Sequence, residues 1–205
     1  MKFGVFDHMD ASGEPLAELF ENRLKLAEAY DRIGLHALHV AEHHSTPLGM
    51  SPSPSVFLAL AAQRTKRLRL GPLVYTLPLY HPLRLAEEIC TLDCLSGGRL
   101  ELGVGRGVSP LEIASFGVDP AKSQAMYLEA YEVVMKALAS RSVSFRGEHY
   151  QFDDAPTPRA PSGRRAQAST SSPTCPLRRC ARSPTATACT GRSAARTPDA
   201  FRSWE

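Results

Sequence analysis

The sequence lacks the features that mark membrane proteins, disulfide-rich secreted proteins and zinc-binding proteins. Its five cysteines form no C-x-x-C pair, so we predict neither a disulfide framework nor a zinc site. No apolar run approaches the roughly 18 residues of a membrane span, and no signal-peptide core follows Met1. We therefore expect a cytoplasmic protein with reduced thiols and no membrane partner.

Acidic charge is scarce at one end of the chain and basic charge is concentrated there. The 205 residues hold 24 basic and 21 acidic side chains, but residues 155–205 alone carry nine arginines, no lysine and two acids. The remainder is therefore mildly acidic and gives no reason to expect a nucleic-acid partner.

Residues 155–205 also lack the apolar content of a core. Leu177 is their only leucine, isoleucine or valine, beside seven prolines. Such a segment buries too little apolar area to offset its conformational entropy, which predicts a disordered basic tail. An out-of-frame reading of GC-rich coding DNA gives the same composition, so a frameshifted tail is a second interpretation.

Residues 1–154 show alternating strand and helix patterns. Strands are predicted over residues 2–7, 35–41, 68–75 and 99–104, with a break expected at Gly71-Pro72. Helices are predicted over 15–33, 55–65, 82–96, 110–115 and beyond residue 120, followed by a hairpin over 143–152. This order indicates an α/β fold with a parallel sheet, and periodicity leaves a doubly wound sheet and a TIM-type barrel both open.

An acid and two imidazoles follow the second predicted strand. Glu42, His43 and His44 lie at a strand tip, where a parallel barrel carries its chemistry. Imidazole beside carboxylate suits proton transfer near neutral pH. A hydrogen-bonded structural histidine pair is the alternative interpretation.

A metal site is the competing chemical interpretation of this region. Five histidines occur in the first quarter of the chain: His8, His36, His39, His43 and His44. Strand alternation would direct His39 and His43 to one face and His36 and His44 to the other. Their spacing matches no standard ligand set, so we predict no metal.

A glycine-rich turn follows the fourth predicted strand. Gly103-Val104-Gly105-Arg106-Gly107 could bring backbone N–H groups and a guanidinium to a phosphate. It is not the G-x-G-x-x-G of a dinucleotide site, which should follow the first strand. A tight turn with a surface arginine remains the alternative.

Taken together, five segments resemble the bacterial luciferase-like flavin-dependent monooxygenase family over about residues 1–154. They are Met1-Lys2-Phe3-Gly4, Glu42-His43-His44, His81-Pro82-Leu83-Arg84, Leu92 through Arg99, and the glycine turn. The resemblance implies a TIM (β/α)8-barrel type fold that uses reduced FMN and O2 to oxygenate a small organic substrate such as an aldehyde. It also implies that a separate reductase uses NAD(P)H to supply the flavin, and that the protein is a homo-oligomer.

The resemblance also implies roles for individual residues. His43 matches the family's catalytic histidine, and Arg106 matches an arginine that contacts the flavin phosphate. Glu42, His44, Leu73 and Val74 are expected at the cofactor, with a cis peptide between the last two.

Two departures from the family qualify these expectations. Gly105 stands where luciferase has a reactive cysteine, which favours a general oxygenase over light emission. Family members are about twice as long as the matched part, so only the first four βα units, an N-terminal half-barrel with an open edge, are expected. A truncated, non-catalytic fold remnant and a deazaflavin-dependent oxidoreductase remain as alternatives.

Overall fold

The computed structural model describes residues 1–157, which form strands and helices in alternation. The order is β1 (Gly4–Asp7), α1 (Leu16–Ile33), β2 (Ala37–Val40), α2 (Pro54–Arg64), β3 (Arg69–Pro72), β4 (Tyr75–Thr76), a 3-10 turn (Leu77–Leu79), α3 (Pro82–Ser96), β5 (Val104–Gly105), α4 (Pro110–Ser115), α5 (Ser123–Ala139), β6 (Ser142–Arg146) and β7 (Gln151–Pro156). No helix within this part of the chain is long and apolar enough to cross a membrane.

The first strands form a parallel sheet in the order β1-β2-β3. Phe6 pairs with His39, and His39 pairs with Gly71. A parallel bridge between Leu70 and Leu100 and the parallel pair β4-β5 add a fourth strand position. The α/β class is confirmed. Within residues 1–157 the sheet is open, and no barrel closes.

Short sequence signals set the helix ends. Gly34 and Gly97 follow α1 and α3 with φ of 84° and 68°, a left-handed conformation that costs glycine little. Pro82 occupies the first turn of α3, where its missing N–H needs no partner. The oxygen of Ser109 accepts the backbone N–H of Glu112 at the start of α4. These predicted boundaries are confirmed.

Two predicted strands differ from the structure. The expected break at Gly71-Pro72 is wrong, because Pro72 remains in β3 opposite Val40 and the interruption falls at Leu73-Val74. The fourth strand was predicted over residues 99–104. In the structure it consists of an isolated bridge at Leu100 and of β5, and the residues between them are not part of a strand. Local apolar content cannot reveal such an interruption of strand pairing.

The predicted hairpin is present and longer than expected. Strands β6 and β7 pair antiparallel, with Phe145 opposite Phe152. Strand β7 ends at Pro156, two residues beyond the boundary expected at residue 154. The predicted disordered or frameshifted tail otherwise lies outside the described residues.

Burial differs between the two faces of the sheet. Leu38, Val40, Leu68 and Leu70 are at most 2% exposed and belong to one apolar core with the helices. The opposite face carries Phe6, which is 46% exposed, and polar side chains including His39 and Glu101. The helices thus anchor the sheet from one side and hold the ends of its strands in place.

Candidate active site

The carboxyl ends of the parallel strands gather the chemically capable residues. Glu42, His43 and His44 lie just beyond β2, Thr76 ends β4, and Arg106 follows β5. Because parallel strands all end at the same edge, these residues lie along one rim of the sheet. The residues predicted at the strand tip, Glu42, His43 and His44, therefore share this rim with Thr76 and Arg106.

Glu112, on helix α4, joins the two histidines. Its Oε1 lies 3.2 Å from Nδ1 of His43, and its Oε2 accepts the backbone N–H of His44 at 3.0 Å. The carboxylate side chain is only 9% exposed. Helix α4 thereby fixes both the ring of His43 and the backbone beside it.

Glu42 is enclosed beneath the rim, with a side chain that is 0% exposed. Its Oε1 lies 3.0 Å from Nε2 of His44 and 3.4 Å from the backbone N–H of Thr76, while Tyr80 donates its hydroxyl to Oε2 at 2.6 Å. Burial, together with the negative charge of Glu42, raises the pKa of Tyr80. Its hydroxyl therefore stays protonated and serves as a donor.

Aromatic side chains flank the two imidazoles. The ring of His8, at the end of β1, stacks on His43 with centroids 6.0 Å apart and planes inclined by 12°. Phe116, which follows α4, meets the ring of His44 edge-on at 4.7 Å. Each histidine thus has a carboxylate at one nitrogen and a ring against its side or face.

The glycine turn packs against the interruption between β3 and β4. The peptide between Leu73 and Val74 is cis, as the resemblance implies. A Cβ built on Gly105 would lie 2.6 Å from Cγ2 of Val74, closer than side chains normally approach. A cysteine at this position would meet the same obstacle, so glycine allows the turn to lie directly on Val74.

Arg106 extends from this turn as an exposed residue. Among residues 1–157 it forms no hydrogen bond and no ion pair, in contrast to Arg69, which donates to Glu101. An exposed guanidinium beside a glycine turn can bind an anionic group of a ligand.

His36 and His39 do not join the rim site. Both approach Glu101, at 3.7 and 3.3 Å, although strand alternation had placed them on different faces. That expectation is wrong because His36 precedes β2 and is not bound by the alternation of the strand. Within residues 1–157, no group of three or more histidine, cysteine, aspartate or glutamate side chains is arranged to hold a metal ion.

Sequence patterns missed three parts of the site: Thr76, Tyr80 and Glu112. Glu112 lies 69 residues beyond His43, and only the meeting of separate strand ends brings them together. The one available signal was its position on a short helix after the glycine turn.

Comparison with known proteins identifies the family. The family model described as "Luciferase-like monooxygenase" matches residues 1–196. The chain belongs to the luciferase-like monooxygenase family.

Two relatives illustrate the range of this likeness. The chain is 53% identical over 156 residues to the uncharacterized protein y4wF of Sinorhizobium fredii, covering 76% of this chain and 46% of that protein. It is 40% identical over 139 residues to 4-hydroxyprotoasukamycin monooxygenase of Streptomyces nodosus, covering 67% of this chain and 38% of that protein. The chain thus spans less than half the length of these relatives.

Solved structures support the fold. The oxygenating constituent of 3,6-diketocamphane monooxygenase from Pseudomonas putida, in complex with FMN, is 27% identical with a TM-score of 0.70. That match covers 78% of this chain and 44% of the other. The F420-dependent tetrahydromethanopterin reductase of Methanopyrus kandleri is 24% identical with a TM-score of 0.59. That match covers 78% of this chain and 46% of the other, and at this identity it shows the fold alone.

Proposed function

We propose that this chain carries the reduced-FMN site of a flavin-dependent monooxygenase that transfers an oxygen atom from O2 to a small organic substrate. One observation carries the proposal. The contact of Glu112 with His43 and with the backbone of His44 ties the proton-transfer candidates to the segment that follows the glycine turn and Arg106. A proton carrier and an anion-binding group thus share one rim.

The rim is chemically suited to a flavin phosphate and isoalloxazine ring. The exposed guanidinium of Arg106 supplies the positive charge that a phosphate requires. The glycine turn lies so close to Val74 that a Cβ would intrude, and we propose that the flavin ring lies beside Leu73 and Val74. When bound, the flavin would supply the redox chemistry with dioxygen.

His43 is proposed to move a proton beside the ring. Imidazole changes charge near neutral pH and can accept or donate a proton in the same position. Glu42 is proposed to act through His44 and the backbone of Thr76, because its side chain is enclosed by the donors that contact it. His44 and Glu42 would thus shape the cofactor side of the rim.

The substrate class and partners are also proposals. An aldehyde or similar carbonyl compound is proposed as the substrate on the family resemblance alone. The name "oxygenating constituent" of one structural neighbour is consistent with a second component, and we propose that a separate NAD(P)H-dependent reductase supplies the reduced flavin. Self-association into a homo-oligomer is proposed on the family resemblance alone.

Anaerobic titration with reduced FMN, followed by mixing with O2 and an aldehyde, tests the function. We expect binding at micromolar concentration, about −8 kcal/mol, and formation of one oxygenated product. No binding at millimolar FMN would contradict the proposal and leave a non-catalytic remnant. Tight binding of a reduced deazaflavin in place of FMN would instead favour the deazaflavin-dependent alternative.

A further inference from the structure

The contacts of Glu112 determine more than the location of His43. A backbone N–H can only donate, so the oxygen of Glu112 that faces His44, at 3.0 Å, must accept. This bond fixes the orientation of the carboxyl group. The other oxygen, Oε1, is then directed at Nδ1 of His43 at 3.2 Å.

An ionised carboxylate offers acceptors only. Nδ1 of His43 must therefore carry a proton to complete its hydrogen bond with Oε1. In a neutral imidazole only one nitrogen carries a proton, so Nε2 of His43 has a free electron pair. Among residues 1–157, Nε2 has no hydrogen-bond partner, and that electron pair remains available.

We propose that Glu112 is a positioning residue that holds neutral His43 as the Nδ1–H tautomer and so makes Nε2 the atom that accepts a proton. The tautomer follows from contacts within the chain. The use of Nε2 in proton transfer rests on the proposed function.

The neighbouring histidine is held in the opposite way. Oε1 of Glu42 lies 3.0 Å from Nε2 of His44, so neutral His44 carries its proton on Nε2. Two adjacent imidazoles are thus set in opposite tautomers by two different carboxylates. The ring of His8 stacks on His43 without a hydrogen bond, and so it does not compete for Nδ1.

A glutamine at position 112 should invert the tautomer of His43. The N–H of His44 requires the amide oxygen of the new side chain as its acceptor. The amide NH2 would then face Nδ1 of His43, which must become an acceptor, and the imidazole proton would move to Nε2. Glu112→Gln keeps the shape of the side chain but places a hydrogen-bond donor, in place of an acceptor, opposite Nδ1 of His43.

¹⁵N NMR of the full apo protein with labelled histidine measures this tautomer directly, because protonated and unprotonated ring nitrogens have well-separated shifts. Spectra are recorded about two pH units above the unperturbed imidazole pKa of ~6.5, and His43→Gln assigns the His43 signals among the seven histidines. In the wild type we expect a protonated Nδ1 and an unprotonated Nε2, and in Glu112→Gln the reverse. A wild-type His43 protonated on Nε2 overturns the proposal even if the variant fails to fold.

The matched control is Glu21→Gln, which removes an exposed carboxylate paired with Arg64. It should leave the His43 signals unchanged, and an inversion in this variant would contradict a specific role for Glu112. An unchanged Nδ1–H tautomer in folded Glu112→Gln would contradict it equally. Because the measurement uses no flavin, failure to bind FMN leaves this result intact.

Activity provides a second readout. A catalytic histidine in the wrong tautomer costs a serine protease about 10⁴-fold in kcat. We expect Glu112→Gln to lose about 10²- to 10⁴-fold in kcat while the Kd for reduced FMN stays at the wild-type value. A variant that inverts the tautomer yet keeps full kcat would overturn the role of Nε2.

Discussion

Gly105 lies against Val74 so closely that a Cβ at position 105 would be 2.6 Å from Cγ2 of Val74. The contact joins β5 to the residue that follows the cis peptide between the neighbouring strands. The position of the glycine turn, and of Arg106 next to it, therefore depends on the absence of a side chain at residue 105.

We expect Gly105→Ala to displace Val74 and weaken both folding and flavin binding. Forcing a methyl group into a packed contact costs about 1–3 kcal/mol, measurable as a loss in the free energy of unfolding in urea. Val74→Ala in the same chain makes room for the new methyl group. The double variant should therefore lose less unfolding free energy than the two single variants together. If the two losses simply add, the contact between Gly105 and Val74 is contradicted.

His43→Gln should lose turnover and retain flavin. A positioned general acid or base contributes about 10²- to 10⁴-fold to rate, so kcat should fall by this factor. The Kd for reduced FMN should stay close to the wild-type value, because Arg106 carries the proposed phosphate contact. Full turnover in folded His43→Gln would refute the proton-transfer role.

Glu101 should stabilise the fold in a pH-dependent way. A hydrogen bond with His39, and further contacts with Arg69, lower the pKa of Glu101 from 4.5 to about 2. The folded state therefore favours the ionised carboxylate. Its stabilisation is complete above pH 4.5 and is lost as the pH falls towards about 2.

Urea unfolding of wild type and Glu101→Gln at several pH values measures this effect. The difference in unfolding free energy should be largest at neutral pH and should shrink below pH 4.5. The exposed carboxylate of Glu87 provides the control variant, Glu87→Gln, for which we expect no comparable trend. A difference that stays constant with pH would contradict the assigned contacts.

Local signals in the sequence were sufficient for most of the fold. Proline at a helix start, as at Pro82, and glycine at a helix end, as at Gly34 and Gly97, act within one turn. Runs of apolar residues likewise predicted the strands, because they too are local features of the sequence. The interruption was predicted at Gly71-Pro72 but falls after Pro72, because its position depends on how the strand pairs with its neighbours.

The candidate site was predictable only in part. The strand tip with His43 and the glycine turn with Arg106 each have a local pattern. Glu112, whose carboxylate contacts His43 and the backbone of His44, is distant from them in sequence and reaches them only through the fold. Glu42 was visible as a neighbour of the histidines, but its enclosure by Tyr80 and Thr76 depends on tertiary contacts.

The most direct test of a flavin site at this rim is the affinity of Arg106→Ala for reduced FMN. A charge-assisted hydrogen bond is worth about 1.5–3 kcal/mol, so Kd should rise by about 10- to 100-fold. Arg64→Ala is the matched control, since it removes a guanidinium from the end of α2. Helix α2 is followed by the start of β3, so Arg64 lies at the edge of the sheet opposite to the proposed site. We predict weakened binding in Arg106→Ala alone; equal affinity in both variants and the wild type would contradict the account.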